Sequence, residues 1–369
     1  MRYRASHSYK RKRVMMVTGL SAVLILAAFL LYLFKQDVFG AAKKPQITEY
    51  KTERSAWLAD WRWEAGLADL EFVSSGLTSL QVFAAYFEPS GRLHFTDQFH
   101  KALPEIKRVA ERDGLQELYL TLVNDIVYPD GKQSQKDSAL VSNLVADSGS
   151  RSRHIDEMVA ATKSYGFSGI ELDYEKVEDK DWPNFVRLVK ELHPRLKAEG
   201  KSLRVVFEPR APIESLDLPE GPIYVMMAYN LYGGHSGPGP KADISFVGKL
   251  AARMKGVPGT AYIALATGGF DWEASTGKAT ALTELEASEL ARQNAASPAR
   301  DKASGGMSFS YTDSANAKHT VWYADGMTLD HWIQAAKAKG IYNIAFWRLD
   351  ELSEPSRAHL FDSSARTTE

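Results

Sequence analysis

The chain has 369 residues, 45 Lys and Arg against 46 Asp and Glu, and no Cys. This length admits one large domain or two ordinary ones, and a net charge near zero leaves no electrostatic footprint for nucleic acid. The lack of Cys excludes disulfides, thiol catalysis and Cys-ligated zinc.

The first thirteen residues, MRYRASHSYKRKR, carry six Lys or Arg. Residues 14–34, VMMVTGLSAVLILAAFLLYLF, carry no charge. As a helix this run reaches about 31 Å, enough to span a bilayer core. The basic flank predicts a cytoplasmic segment at 1–13, a single-pass transmembrane anchor at 14–34 and the rest of the chain on the extracellular side of the cell membrane. The competing reading is a cleaved signal peptide, for which Gly40, Ala41 and Ala42 form a weak site. Residues 35–54 are mostly polar and read as a short stalk.

From Ser55 onward short apolar runs alternate with helical patterns. Strands are predicted at 56–61, 80–87, 117–125, 169–175, 202–209, 222–230, 260–267 and 341–350. Amphipathic helices are predicted at 101–114, 154–166, 182–200, 245–256 and 328–340, each closing on a glycine as a helix stop. Eight near-continuously apolar strands with intervening helices fit an α/β fold, a closed (β/α)8 TIM barrel over 55–355 with a tail at 356–369. An open doubly wound sheet is the alternative, but no G-x-G-x-x-G follows a strand and no G-x-x-x-x-G-K-S/T occurs.

In such a barrel the chemistry sits where strands end. Polar and aromatic residues gather at those positions, among them Asp60, Trp61, Tyr86, Asn124, Asp125, Glu208, Arg210, Tyr229, Asn230 and Trp347. Of these, Trp61, Tyr86 and Arg210 are candidate substrate contacts. The fourth strand is the most unusual. GIELDYEKV, residues 169–177, sets Glu171, Asp173 and Glu175 at alternate positions, so that a strand points all three one way and Ile170, Leu172 and Tyr174 the other. A half-exposed strand with acids facing water would show the same pattern. Barrel interiors are dry, however. Acids at the carboxyl end of a barrel strand are expected to converge on a site and push each other's pKa values apart.

The chain resembles a family 18 glycoside hydrolase, the class of chitinases and N-acetylglucosaminidases, from about Ser55 to about Pro355. That family's fourth-strand signature, D-G-x-D-x-D-x-E, is met by S-G-I-E-L-D-Y-E at 168–175. Ser168 replaces the first acid and Glu171 the middle one. Met227, Ala228, Tyr229 and Asn230 match the family's Met-x-Tyr-Asp/Asn at the end of strand six. LYGGHSGPGP at 231–240 resembles its glycine-rich loop, FSYTD…HTVWYADG at 309–326 its paired strands before the last helix, and Trp347 the Trp that floors its site. The resemblance implies hydrolysis of β-glycosidic bonds in N-acetylglucosamine-containing glycans, peptidoglycan or chitin oligomers, by a retaining mechanism in which the substrate's own 2-acetamido group is the nucleophile. It makes Glu175 the general acid. Asp173 would hold the acetamide N–H and Tyr229 its oxygen. Glu171, Met227, Asn230 and Trp347 become substrate-binding candidates. Glu171 would sit deeper and tune Asp173, and the altered acids put the pH optimum in question. No metal or other cofactor is expected, and the protein is expected to act as a monomer. The alternative is a catalytically silent glycan-binding barrel of the same family.

Overall fold

The computed structural model describes residues 52–361. The anchor, the basic segment and most of the stalk lie outside the described residues, and no helix among the described ones is long and apolar enough to cross a membrane. Eight parallel strands close on themselves in chain order: β1 Arg54–Ala59, β2 Ser79–Phe87, β3 Glu117–Val127, β4 Gly169–Asp173, β5 Ser202–Phe207, β6 Ile223–Met227, β7 Thr260–Ala266 and β8 Asn343–Trp347. The register Ser55↔Ala345 between β1 and β8 completes the barrel.

Nine helices are described: α1 Trp63–Val73, α2 Asp97–Asp113, α3 Ser138–Val145, α4 Ser148–Ser164, α5 Trp182–Ala198, α6 Ile244–Met254, α7 Glu284–Gln293, α8 Gly326–Lys337 and α9 Glu354–Phe361. The predicted glycine stops at Gly114, Gly166, Gly200 and Gly340 have positive φ, which suits a residue without Cβ. α5 starts at Trp182 as predicted, whereas α2 and α4 start earlier, because their caps precede the apolar period. Thr96 accepts from Phe99 N at 3.0 Å and opens α2, and Asp147 accepts from Ser150 N at 2.8 Å and opens α4. Between β5 and β6 there is no α-helix, only the single turn Ile213–Ser215. The tail, by contrast, contains α9, whose Phe361 is buried against Phe346 of β8.

One layer of core lies between the strands and the helices; a second fills the barrel with residues such as Trp57, Val206, Val225, Tyr262 and Ala345. Between β7 and β8 an antiparallel sheet of five short strands, spanning 268–324, packs on α7 with its own core of Ala287, Ala291, Phe309, Val321 and Tyr323. Only its 309–326 portion was legible as paired strands.

Near the lower end of the barrel, a Cβ on Gly169 would meet Ser202 O at 2.3 Å and the Tyr119 ring at 2.7 Å, so β4 can start only with glycine there. Above it Glu171 is fully buried. It accepts from Trp57 Nε1 at 2.5 Å, Thr121 Oγ1 at 2.9 Å and Arg204 Nε at 2.8 Å. Arg204 is its register partner on β5 and lies 4.7 Å from the Tyr262 ring centroid. Arg204→Met alone strands a buried carboxylate and is expected to cost about 3–5 kcal/mol in urea unfolding. Adding Glu171→Gln should recover part of that loss. A single-variant loss below about 1 kcal/mol would mean the pair is not structural.

Candidate active site

Asp173 is the last residue of β4, and Tyr174 and Glu175 follow beyond the ladder. The alternation nevertheless continues. Tyr174 turns outward, where its hydroxyl meets His154 Nε2 at 2.6 Å. Asp173 and Glu175 turn inward and line a cavity of about 500 Å³ at the carboxyl end of the barrel, with Trp61, Tyr86, Tyr229, Asn230 and Trp347. Six of the ten residues singled out above as catalytic or substrate-binding therefore share this cavity with Glu175.

The backbone of Glu175 is held from the neighbouring strand. Asn124, fully buried at the end of β3, donates from Nδ2 to Glu175 O at 2.9 Å and accepts from Glu175 N at 2.9 Å. The Glu175 carboxyl is paired with Lys136, whose Nζ is 2.5 Å from Oε2. Burial drives its pKa up; the Lys136 charge opposes this and Glu208 reinforces it, and the carboxyl ends up at about 7. Asp173 is raised well above the usual carboxylate range, first by burial and then by the charges of Glu175 and Glu171. Its Oδ1 is buried without a hydrogen-bond partner among the described residues. Tyr229 is 6% exposed, and burial beside these acids keeps its phenol protonated.

Tyr86 reaches the cavity through a defect. Strict alternation from Phe83 would send Phe83 and Ala85 the same way, but the β2–β3 register shifts between 83 and 85 and again between 85 and 87. Such bulges re-aim side chains, and Tyr86 here donates to Asp60 Oδ1 at 2.6 Å. Thr96 Oγ1 donates to the other Asp60 oxygen. The floor is aromatic. Trp347 lies 5.0 Å from Phe83 and 5.9 Å from Trp57 between ring centroids, and Trp61, 47% exposed, stands at the rim 6.5 Å from Trp347. Exposed aromatic faces of this kind stack on the apolar faces of rings.

Three expectations need correction. Glu171 is sealed beneath the cavity by Trp57, Thr121 and Arg204, so it cannot touch a substrate; its influence on Asp173 is through charge. Met227 is 3% exposed and belongs to the packed barrel interior. Arg210 is exposed, on the loop after β5, and does not line the cavity. Ser168, the other altered signature position, lies just before β4 at the opposite end of the barrel, where its hydroxyl donates to Gln116 O at 2.9 Å. Neither altered acid removes a group from the cavity, and Arg204 compensates the longer Glu171.

Lys136, Gln133, Gln135 and Gln98 were not singled out from sequence, yet all line the cavity. Gln98 comes from the first turn of α2, and Gln133, Gln135 and Lys136 from the connection after β3. A lysine in a polar run, KQSQKDS at 132–138, carries no periodic signal. The arrangement offers one carboxyl poised near neutrality, a second beside it, a buried phenol and an aromatic floor, which suits proton transfer to a ring-containing substrate.

Residues 132–351, more than half of the chain, match the profile of the Glycosyl hydrolases family 18. Among curated proteins, the chain is 25% identical over 245 residues to the uncharacterized glycosylase YvbX of Bacillus subtilis, covering 63% of this chain and 70% of that one. It is 24% identical over 228 residues to the cortical fragment-lytic enzyme of the same organism, covering 56% of this chain and 52% of the relative. The chain thus matches about half the length of that enzyme. Among solved structures, the Bacillus cereus spore cortex-lytic enzyme SleL superposes with a TM-score of 0.70 at 20% identity, covering 84% of this chain and 73% of that chain. A chitinase from Chromobacterium violaceum gives 0.71 at 18% identity, covering 84% and 98%. These superpositions establish the shared barrel.

Proposed function

The chain belongs to the glycosyl hydrolases of family 18 and is a glycosidase, and on that premise we propose that it cleaves β-glycosidic bonds in N-acetylglucosamine-containing glycans by substrate assistance. The observation that carries this reading is the pairing at the end of β4. Glu175 has a pKa of about 7 and can hold a proton near neutrality, while Asp173 beside it has an unpartnered buried oxygen.

Glu175 donates its proton to the glycosidic oxygen as the C1–O bond breaks. The 2-acetamido oxygen of the same sugar forms the new bond to C1 and gives a cyclic oxazolinium ion. Asp173 accepts the acetamide N–H and balances the positive ring. Tyr229 donates to the acetamide oxygen and aims it. Water then attacks C1 and restores the acetamide, while Glu175 takes the water proton back. Trp347 supports the apolar face of the sugar.

Two substrates fit this chemistry, peptidoglycan and chitin. The relatives named for cortex lysis favour peptidoglycan, as does the predicted export of the barrel. Mass spectrometry of products after incubation with peptidoglycan and with chitin oligomers tests the choice. Products from neither would favour a binding barrel over an enzyme acting on these glycans.

The uncharged run 14–34 behind its basic flank supports a membrane-tethered enzyme with its barrel on the extracellular side. Membrane fractions should then retain the full chain, and protease added to intact protoplasts should reach the barrel. A soluble chain starting near Ala41 would indicate cleavage, and a protected barrel the reverse topology.

A further inference from the structure

Lys136 is the one cation among the described residues that line the cavity. Its position is heavily determined. It lies on the loop after β3 with φ of +54°, a left-handed conformation uncommon for lysine. Its N–H is donated to Asp125 Oδ1 at 2.7 Å, and the next N–H, of Asp137, is donated to Asn124 O at 2.8 Å. Asp137 also caps α3 by accepting from Leu140 N at 2.8 Å. The loop is thus pinned to the end of β3 on both sides of Lys136, and the side chain reaches over Glu175. Residues held in sparse backbone regions by several hydrogen bonds concentrate at functional sites.

A general acid does not need a cation at hydrogen-bond distance. The ammonium lowers the acidity barrier in the wrong direction, favouring the ionised carboxylate. What the ammonium does supply is a positive point in an otherwise acidic cavity, lined by Asp60, Asp125, Asp173 and Glu175, with the charge of Glu208 acting on it as well. A neutral glycan gains little from that. A glycan with its own carboxylate would be repelled without it.

The place of the charge identifies which carboxylate. Glu175 must contact the bridging oxygen, which in a β-1,4 linkage is O4 of the leaving-group sugar. Lys136 Nζ is 2.5 Å from the Glu175 carboxyl. O4 is flanked by the substituents on C3 and C5, and only the one on C3 differs between the two glycans. In chitin that is a hydroxyl; in muramic acid it is a 3-O-lactyl arm ending in a carboxyl group. Resting on the glycosidase reading above, we propose that Lys136 selects substrates whose leaving-group sugar carries a carboxylate on its C3 arm. The side chain is about one-third exposed and so is free to turn from Glu175 to the incoming anion. That transfer removes the counter-ion from Glu175 just as substrate arrives, and Glu175 then takes up a solvent proton more readily. Lys136 is therefore a specificity residue whose engagement with the right substrate also readies the acid.

The test compares kcat/KM on three oligosaccharides: an alternating N-acetylglucosamine–N-acetylmuramic acid tetramer with free lactyl carboxylates, the same tetramer with those carboxylates converted to methylamides, and chitotetraose. A charge-assisted hydrogen bond predicts that the wild-type enzyme, as the full chain, favours the free acid over the amide by about tenfold or more. Lys136→Gln should bring that ratio close to one, and Lys136→Arg should restore most of it. The falling limb of the pH profile on chitotetraose should move to higher pH in Lys136→Gln, because the charge that opposes protonation of Glu175 is gone. A purely structural role would depress all three substrates alike and leave the ratio intact, and that result overturns the proposal. So does a wild-type ratio of one, or cleavage of chitotetraose alone, while either leaves the glycosidase reading standing. Hydrolysis of all three by Glu175→Gln at the wild-type rate would instead strike the catalytic reading.

Discussion

Glu175→Gln is expected to fold normally and to lose about 10²–10⁴-fold in kcat, the range a positioned general acid contributes. The amide is nearly isosteric and cannot donate a proton to a leaving oxygen. The clamp on the Glu175 backbone comes from Asn124 and does not involve the carboxyl, so the loop should keep its shape. Folding stability gives an independent reading of the same substitution. Burial raises the Glu175 pKa from its ordinary 4.5 to about 7, so between these values the folded chain binds more protons than the unfolded one. Stability contributed by this group is therefore present below about pH 4.5 and declines as pH rises to about 7. The Gln variant should show a shallower decline across that window in denaturant titrations. Undiminished hydrolysis by Glu175→Gln would remove Glu175 from the mechanism.

Removing the acetyl group from the sugar that receives attack should be as damaging as removing the acid. Among the described carboxylates that line the cavity, Glu175 is the acid, Asp173 precedes it by two residues on the same strand end, Asp60 is held by Tyr86 and Thr96, and Asp125 by the Lys136 N–H. The 2-acetamido group is borne on the carbon next to the reacting one, so its oxygen closes a five-membered ring on C1, and such tethering replaces a costly encounter. De-acetylated oligomers should bind yet turn over about 10³-fold more slowly, or worse. Acetylated ones should give the retained anomer in NMR of the first-formed product, and no glycosyl-enzyme adduct should be trapped. A thiazoline mimic of the cyclic ion should inhibit competitively, since the site suits that charge distribution. An inverted product, or equal rates for the two substrates, would point to Asp60 or Asp125, the other carboxylates in the cavity.

All eight barrel strands were legible because a strand buried on both faces is a continuous apolar run bounded by turn residues. The alternation in GIELDYE gave the facing of Glu171, Asp173 and Glu175 correctly, but not their depth. Depth depends on where the barrel floor lies, and Arg204, an isolated charge within SLRVVF, was the residue that could have shown it. A buried Arg on the strand beside Glu171 implies that Glu171 is its partner rather than a substrate contact. Met227 failed for the same reason, being one layer too low. Tyr86 was placed at the site by its position near a strand end, whereas the bulge that delivers it has no local sequence mark. Lys136 was invisible, since loop geometry is set by long-range hydrogen bonds such as Lys136 N to Asp125. The sheet at 268–324 was half seen, because its outer strands are short and partly exposed.

The Asn124 amide has a consequence for motion. Its single side chain bridges the Glu175 peptide on one loop and Asp137 O on another, the latter at 3.1 Å. The segments after β3 and β4 are therefore cross-linked at their roots, and neither can open alone without stranding a buried amide. They should behave as one cooperative unit. In native-state hydrogen exchange the Glu175 and Asp137 amides should share a common opening free energy, set by this one amide, although 38 residues separate them in sequence. Asn124→Ala should uncouple them, each amide then exchanging at its own faster rate. The acid's precision would thus be a property of two loops that breathe together.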